Sequence, residues 1–335
     1  MKKYVNLFVF VFMIGACLSQ GRAQTKSAVS YKNPVVDIAM PDPTVVKAAD
    51  GYFYVYATES TRNVPIMKSK DLVEWTYCNT AFTNKTRPRF EPKAGIWAPD
   101  INYINGKYVL YYAMSVWGGE QTCGIGVATA DSPQGPFTDH GKMFRSNEIG
   151  VQNSIDPSLL QYEGRNYLVW GSFRGIYVIE LTADGLSIMP GAKKKRIAGT
   201  AFEAVYIHKY GDYYYMFASI GSCCQGVKST YKVVVGRSKK VWGPYKDKTG
   251  KPMLKNGYSL VIGANDHFVG NGHGSQIIRD DAGQDWLLYH GFLRSTPENG
   301  RILLLDQIKW DHEGWPYVEG GSPSYETQKA PVFNN

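Results

Sequence analysis

Cysteine is scarce in this chain, with five in 335 residues, and no two of them stand in a CxxC spacing. That argues against a zinc site. Long apolar runs are also missing. Val5 to Ala16, behind Lys2 and Lys3, is the sole candidate, and it is too short for a stable membrane span. The formal net charge of +8 is spread along the chain apart from Lys193 to Arg196, so the basic stripe of a nucleic-acid binder is absent. That run reads as a solvated loop. Long helical periodicity is missing too, which argues against an α/β fold. No phosphate loop or nucleophile elbow occurs, and Gly270-Asn-Gly-His-Gly274 lacks the helix and downstream acid of a nucleotide loop.

The apolar N-terminal run reads as a secretory signal over residues 1–23. Two exits from it are open. Ile14-Gly15-Ala16-Cys17 has the form of a lipobox, which would leave a lipidated Cys17. Gly21-Arg22-Ala23 before Gln24 has the form of a small-residue cleavage site. The lipobox is the preferred reading. Either way the protein is expected to be exported, at the cell surface, in the periplasm or free. Export would permit disulfides among the remaining cysteines, Cys78, Cys123, Cys223 and Cys224, whose connectivity the sequence leaves open.

What the sequence does have is a repeat. Five times a polar, mostly acidic residue leads a short apolar run, a turn with glycine and an aromatic-rich strand. The copies begin at Asp42, Asp100, Asp156, Glu203 and His273, and their turn glycines are Gly51, Gly106, Gly164, Gly211 and Gly283. Strand, tight turn and strand make a hairpin. Each copy carries a second apolar half, such as Ile125 to Asp131 or Leu303 to Trp310. Five units of about four strands predict an all-β, five-bladed β-propeller of antiparallel blades, one domain over residues 30–335. Equivalent positions would bring Asp42, Asp100, Asp156, Glu203 and His273 to one mouth of the central channel. Carboxyls brought that close separate in pKa, as acid/base hydrolysis requires. A single acid at a strand start is ordinarily a turn or a cap; matched acids in successive repeats are not.

At these residues the sequence resembles glycoside hydrolase family 43, and within it the arabinan endo-1,5-α-L-arabinanases. The general motifs are Met40-Pro-Asp42-Pro43, Trp97-Ala-Pro-Asp100, Ser154-Ile-Asp156-Pro157, Phe202-Glu203-Ala204 and Asp311 to Pro316. The more specific ones are Gly171-Ser-Phe173, Cys223-Cys-Gln-Gly226 with Ser229-Thr-Tyr231, Gly236-Arg-Ser238, Gly243-Pro-Tyr245 and Gly272-His-Gly-Ser275. Pro41 departs from the His that many arabinanases carry before the base, which weakens the case for strict endo action.

The resemblance implies an inverting glycosidase acting on arabinan or arabino-oligosaccharides. Asp42 would be the general base and Glu203 the general acid, with Asp156 raising the pKa of Glu203 and orienting it. Inversion needs room for a water between base and acid, about 6.5–9.5 Å. It further implies that His273 helps hold a calcium ion, largely through waters; the plainer reading is a histidine bonded to its neighbours. Trp97 and Trp117 would be sugar platforms, against blade packing as the plainer reading. Asn153 and Ser172 would hydrogen-bond sugar. Arg301 would lie near the acid, with a surface ion pair as its rival, and Asp100 would be a supporting acceptor. Segments 76–96, 115–123 and 245–272 would wall the groove. A monomer is expected. An exo-acting α-L-arabinofuranosidase or β-xylosidase of the same family is the nearest alternative, and a non-catalytic glycan-binding propeller the alternative from another class.

Overall fold

A computed structural model describes Met1 and residues 29–334. The proposed signal, lipobox and cleavage site lie outside the described residues. No helix among the described residues is long and apolar enough to cross a membrane.

Five antiparallel sheets follow one another along the chain, as the repeat predicts. The first blade runs outward from Thr44–Lys47 through Phe53–Tyr56 and Pro65–Ser69 to Thr76–Thr80. The second starts at Gly95–Ile104, the third at Ser158–Tyr162 and the fourth at Glu203–Tyr210, each with four strands in sequence order. The fifth differs. Phe268–Gly272, Asp285–Leu293 and Ile302–Trp310 are joined at the outside by Val36–Ala39, from the other end of the chain. This strand closes the ring, and Asn33 locks it: its side chain donates to Leu305 O and accepts from Leu305 N, both at 2.9 Å.

The blades are held to one another by five apolar clusters, each shared between neighbours. Tyr54, Tyr56 and Phe82 meet Tyr112 and Phe137 between the first two blades. Trp170 packs on Phe144 between the second and third. The fully buried Trp170 satisfies its indole N–H on Ser154 Oγ at 3.0 Å. Large aromatics suit these wedge-shaped gaps because each buries ~150–250 Å².

One left-handed residue per blade stands at the channel mouth: Asp42 (φ 55°), Ala98 (42°), Asp156 (56°), Ala204 (53°) and His273 (50°). Non-glycine residues adopt this conformation only when held there. In the second and fourth blades the pairing slips at this point, between Trp97 and Asp100 and between Glu203 and Tyr206. In the fifth blade the innermost strand ends at Gly272, and Ile278–Arg279 then pairs farther along the same neighbour.

This ring corrects the repeat alignment. Asp42, Asp156 and His273 hold equivalent places, but Glu203 stands one residue before the left-handed position and Asp100 two after it. The bulge is the physical reason: an extra residue changes which side chain faces the mouth.

Candidate active site

Asp42, Asp156, Glu203 and His273 all line one cleft of about 750 Å³ at the channel mouth. Trp97, Trp117, Asn153, Ser172 and Arg301 line it as well. Asp100 does not. It lies beyond the mouth, lining a smaller polar cavity, where its carboxylate accepts Leu159 N–H (2.7 Å), Asn102 Nδ2 (2.7 Å) and Gln276 Nε2 (2.8 Å). Burial raises it to about 6 against those bonds.

Asp42 is held as an anion. Arg301 Nη1 donates to Oδ1 at 2.8 Å and Thr58 Oγ1 to Oδ2 at 2.6 Å, while His273 Nδ1 stands 3.3 Å from Oδ1. Burial alone would raise its pKa, yet Arg301 and His273 take it well below the usual carboxylate value. Arg301 is thus bonded to Asp42, in the cleft that Glu203 also lines. Arg301 leads the strand Ile302–Trp310, to which the closing strand Val36–Ala39 pairs, and its carbonyl accepts Met40 N–H at 2.9 Å. Closure of the ring therefore delivers it to Asp42.

Asp156 and Glu203 are each buried, and both are shifted upward. Burial is the largest cause for each; the Glu203 charge then adds for Asp156, which reaches about 8. The two act as one site that keeps a proton where isolated carboxyls would lose it. Asp156 Oδ2 also accepts Ala204 N–H at 3.1 Å, fixing the backbone beside Glu203. Glu203 Oε2 accepts Ser172 Oγ–H at 2.6 Å, and this bond and the nearby Tyr231 hydroxyl act against the upward shift. Asn153 Nδ2 donates to Ser172 Oγ at 2.9 Å. Asn153 and Ser172 are thus also braces of the acidic group.

The rings of Trp97 and Trp117 stand 5.5 Å apart, inclined at 50°. Trp97 rests partly on Ala113, Cys123 and Ile155. Trp117 is 79% exposed, so blade packing does not account for it. Of the expected walls, residues 115–120 line the cleft, while 76–96 and 245–272 supply no lining residue. Those two segments contain the outer strands Thr76–Thr80 and Ser259–Ile262, which lie away from the channel. Gly221 to Gln225 take that place, including the disulfide between Cys223 and Cys224. Cys78 and Cys123 are free thiols.

Among the described residues no group of three or more His, Cys, Asp and Glu could hold a metal. A direct calcium cage is therefore not built here, since calcium takes six to eight oxygens. An ion beside His273 would have to keep most of its waters. His273 borders the cleft on one side and, on the other, the polar cavity shared with Asp100, Asp156, Ser275 and Gln276.

Sequence reasoning missed two residues, His290 and Tyr231, as parts of the site. His290 lies within the apolar strand Asp285–Leu293, where nothing in the local pattern marks it; Tyr231 stands just before the strand Lys232–Ser238, in the motif Ser229-Thr-Tyr231, which carries the resemblance without giving the tyrosine a role.

A family model described as glycosyl hydrolases family 43 matches residues 31–316. The chain belongs to this family. As a family 43 member it is a glycosidase, which displaces the reading of a non-catalytic glycan-binding propeller. It is 36% identical over 290 residues to the extracellular endo-α-(1→5)-L-arabinanase 1 of Bacillus subtilis, covering 82% of this chain and 86% of that one. It is also 36% identical over 307 residues to an extracellular exo-α-(1→5)-L-arabinofuranosidase of Cellvibrio japonicus, covering 83% and 86%. Among solved structures, the Cellvibrio cellulosa α-L-arabinanase complexed with arabinohexaose superposes with a TM-score of 0.77 at 34% identity, covering 86% of this chain and 98% of that one.

Proposed function

We propose that this family 43 glycosidase cleaves α-1,5-linked L-arabinofuranosyl bonds within arabinan, with inversion at the anomeric carbon. The observation that carries the reading is the convergence of a strongly ionised Asp42 and a proton-retaining Asp156–Glu203 pair on one cleft. Asp42 takes a proton from water as the water oxygen bonds to the anomeric carbon. The bond from that carbon to the departing oxygen breaks, and Glu203 gives the oxygen its proton. Asp156 keeps the pair protonated and, through Ala204, fixes where Glu203 points. Proton transfer by positioned groups of this kind contributes ~10²–10⁴-fold.

Trp97 and Trp117 offer flat apolar faces to the sugar rings. Asn153 and Ser172 offer polar groups beside the acid. Action within the chain is supported by the breadth of the cleft, whose walls come from all five blades, from Glu59 to Arg301. Exo action is the second reading, favoured by the Cellvibrio japonicus relative of equal identity. Chromatography of early digests of linear arabinan separates them: mixed oligosaccharides are expected, and arabinose alone from the first minutes would sink the endo reading. Glu203→Gln is expected to lose activity on arabinan while keeping the fold; full activity would remove it as the acid.

Calcium belongs to the same proposal, held by His273 and otherwise through water. It would supply a fixed positive charge beside the carboxylates. His273→Ala is expected to lower metal content, and an unchanged content would exclude this ligand. The protein is further proposed to work outside the cell as a monomer, a location the two extracellular relatives support.

A further inference from the structure

Four of the five left-handed residues at the mouth are caught by a side chain of the preceding blade. Ala98 N–H donates to Thr58 Oγ1 (2.7 Å), Ala204 N–H to Asp156 Oδ2 (3.1 Å), His273 N–H to Ser219 Oγ (2.8 Å) and Asp42 N–H to His290 Nδ1 (3.0 Å). The last is the only one of these made by an imidazole. His290 is fully buried in the strand Asp285–Leu293. Since Nδ1 accepts the Asp42 N–H, it carries no proton, and the hydrogen of the neutral ring sits on Nε2. The 3.3 Å approach of the same Nδ1 to Asp42 Oδ1 is therefore not an ion pair.

Nε2 has no hydrogen-bond partner, although it is buried. An unpaired buried donor is unfavourable to folding. The ring's polar contact within the protein is thus the one at Nδ1. Its face stacks on Tyr231, at 5.6 Å between centroids and 14° between planes, and the Tyr231 hydroxyl is near enough to Glu203 to lower its pKa. The stack has room because Gly272 lies against it: a Cβ there would meet the Tyr231 ring at 2.2 Å.

We propose that His290 is a positioning residue for the reaction, holding the Asp42 backbone left-handed through Nδ1 and, through its stack on Tyr231, setting the base and the acid relative to each other. Without the acceptor, the Asp42 peptide relaxes from an unfavourable conformation and the carboxylate leaves the line of attack. This rests on the reading of Asp42 as the base. The Thr58 Oγ1 and Arg301 side-chain bonds hold the carboxylate oxygens, and Thr58 N–H holds the Pro41 carbonyl at 2.8 Å, but the Asp42 N–H end of that peptide is held by His290.

The test compares His290→Asn, His290→Gln and His290→Leu with Asp42→Asn in the full chain. Asn presents an oxygen near the place of Nδ1, whereas Gln presents one near that of Nε2. His290→Asn is expected to retain kcat within about 3-fold of the parent. His290→Gln and His290→Leu are expected to lose about 100-fold in kcat, the scale of a misplacement near 1 Å, with KM within about 3-fold. The loss should be equal on linear arabinan and on an aryl arabinobioside with a good leaving group, because the base serves both. Gln or Leu as active as Asn, or an Asn variant that folds and is as inactive as Asp42→Asn, overturns the proposal. If Gln and Leu do not fold, the activity of folded His290→Asn decides it. An active Asp42→Asn would instead overturn the assignment of the base.

Discussion

In the folded protein Asp156 accepts Ala204 N–H, and after burial the charge of Glu203 is its second upward influence. Its pKa of about 8 lies far above its ordinary 3.8. As pH rises above 3.8, the unfolded chain ionises this group while the folded one keeps it neutral. Stability therefore falls through the window from roughly 4 to 8. Asp156→Asn removes that loss and keeps an oxygen for Ala204 N–H. The variant is expected to lose activity yet melt higher at pH 7. One pKa unit corresponds to about 1.4 kcal/mol, so a gain of at least about 1 kcal/mol, or roughly 2 °C, is expected. The gain should shrink toward pH 4. Melting curves at both pH values check it, and a lower melting point at pH 7 would mean that Asp156 is ionised and paired in the folded state. Asp42 has the opposite sign: its depressed pKa contributes stability above the ordinary carboxylate range that is lost as pH falls.

The strand Val36–Ala39 is where local reading ran out. The hairpins were legible because each lies within about twenty residues and announces itself by a turn glycine and alternating aromatics. The closing strand is short, half-exposed and paired with residues more than 260 positions away. Nothing within Val36-Asp-Ile-Ala names that partner. The same limit applied to Arg301, whose proximity to Asp42 exists only after closure, and to His290, which lies in an apolar strand. The three carboxylates were legible as a group, but their register was not, since a one-residue bulge leaves no mark in composition. Asn33 makes closure testable. It is 3% exposed and satisfies both peptide groups of Leu305 on one side. Asn33→Ala leaves Leu305 N–H unpaired in the interior, while Leu305 O keeps the Tyr31 hydroxyl at 2.9 Å, and is expected to destabilise the fold by about 2 kcal/mol. Denaturant unfolding measures this. A change near zero would show that the N-terminal strand adds little to closure, and activity would then be expected to persist as well.

No single blade contains the chemistry. Asp42 comes from the start of the first, Arg301 and His290 from the last, Asp156 and its partner Glu203 from the third and fourth. Only the closed ring, held by five shared apolar clusters, brings a depressed carboxyl and a raised pair to one cleft. That separation sets the pH range of activity. On the acid side, activity falls when Asp42 takes a proton, and its depressed pKa moves this limb down. On the alkaline side, it falls when the Asp156–Glu203 pair loses its proton, and the raised pKa moves that limb up. Arabinan needs both groups. An aryl arabinobioside with a good leaving group needs the base but not a proton on the departing oxygen. Profiles of kcat/KM against pH for the two substrates should therefore share the acid limb and differ on the alkaline one, which is expected to retreat to higher pH for the aryl substrate. Arg301→Met should move the shared acid limb upward for both, because it removes the cation nearest Asp42. Identical alkaline limbs would mean that the proton held between the third and fourth blades is not the one delivered to the leaving sugar.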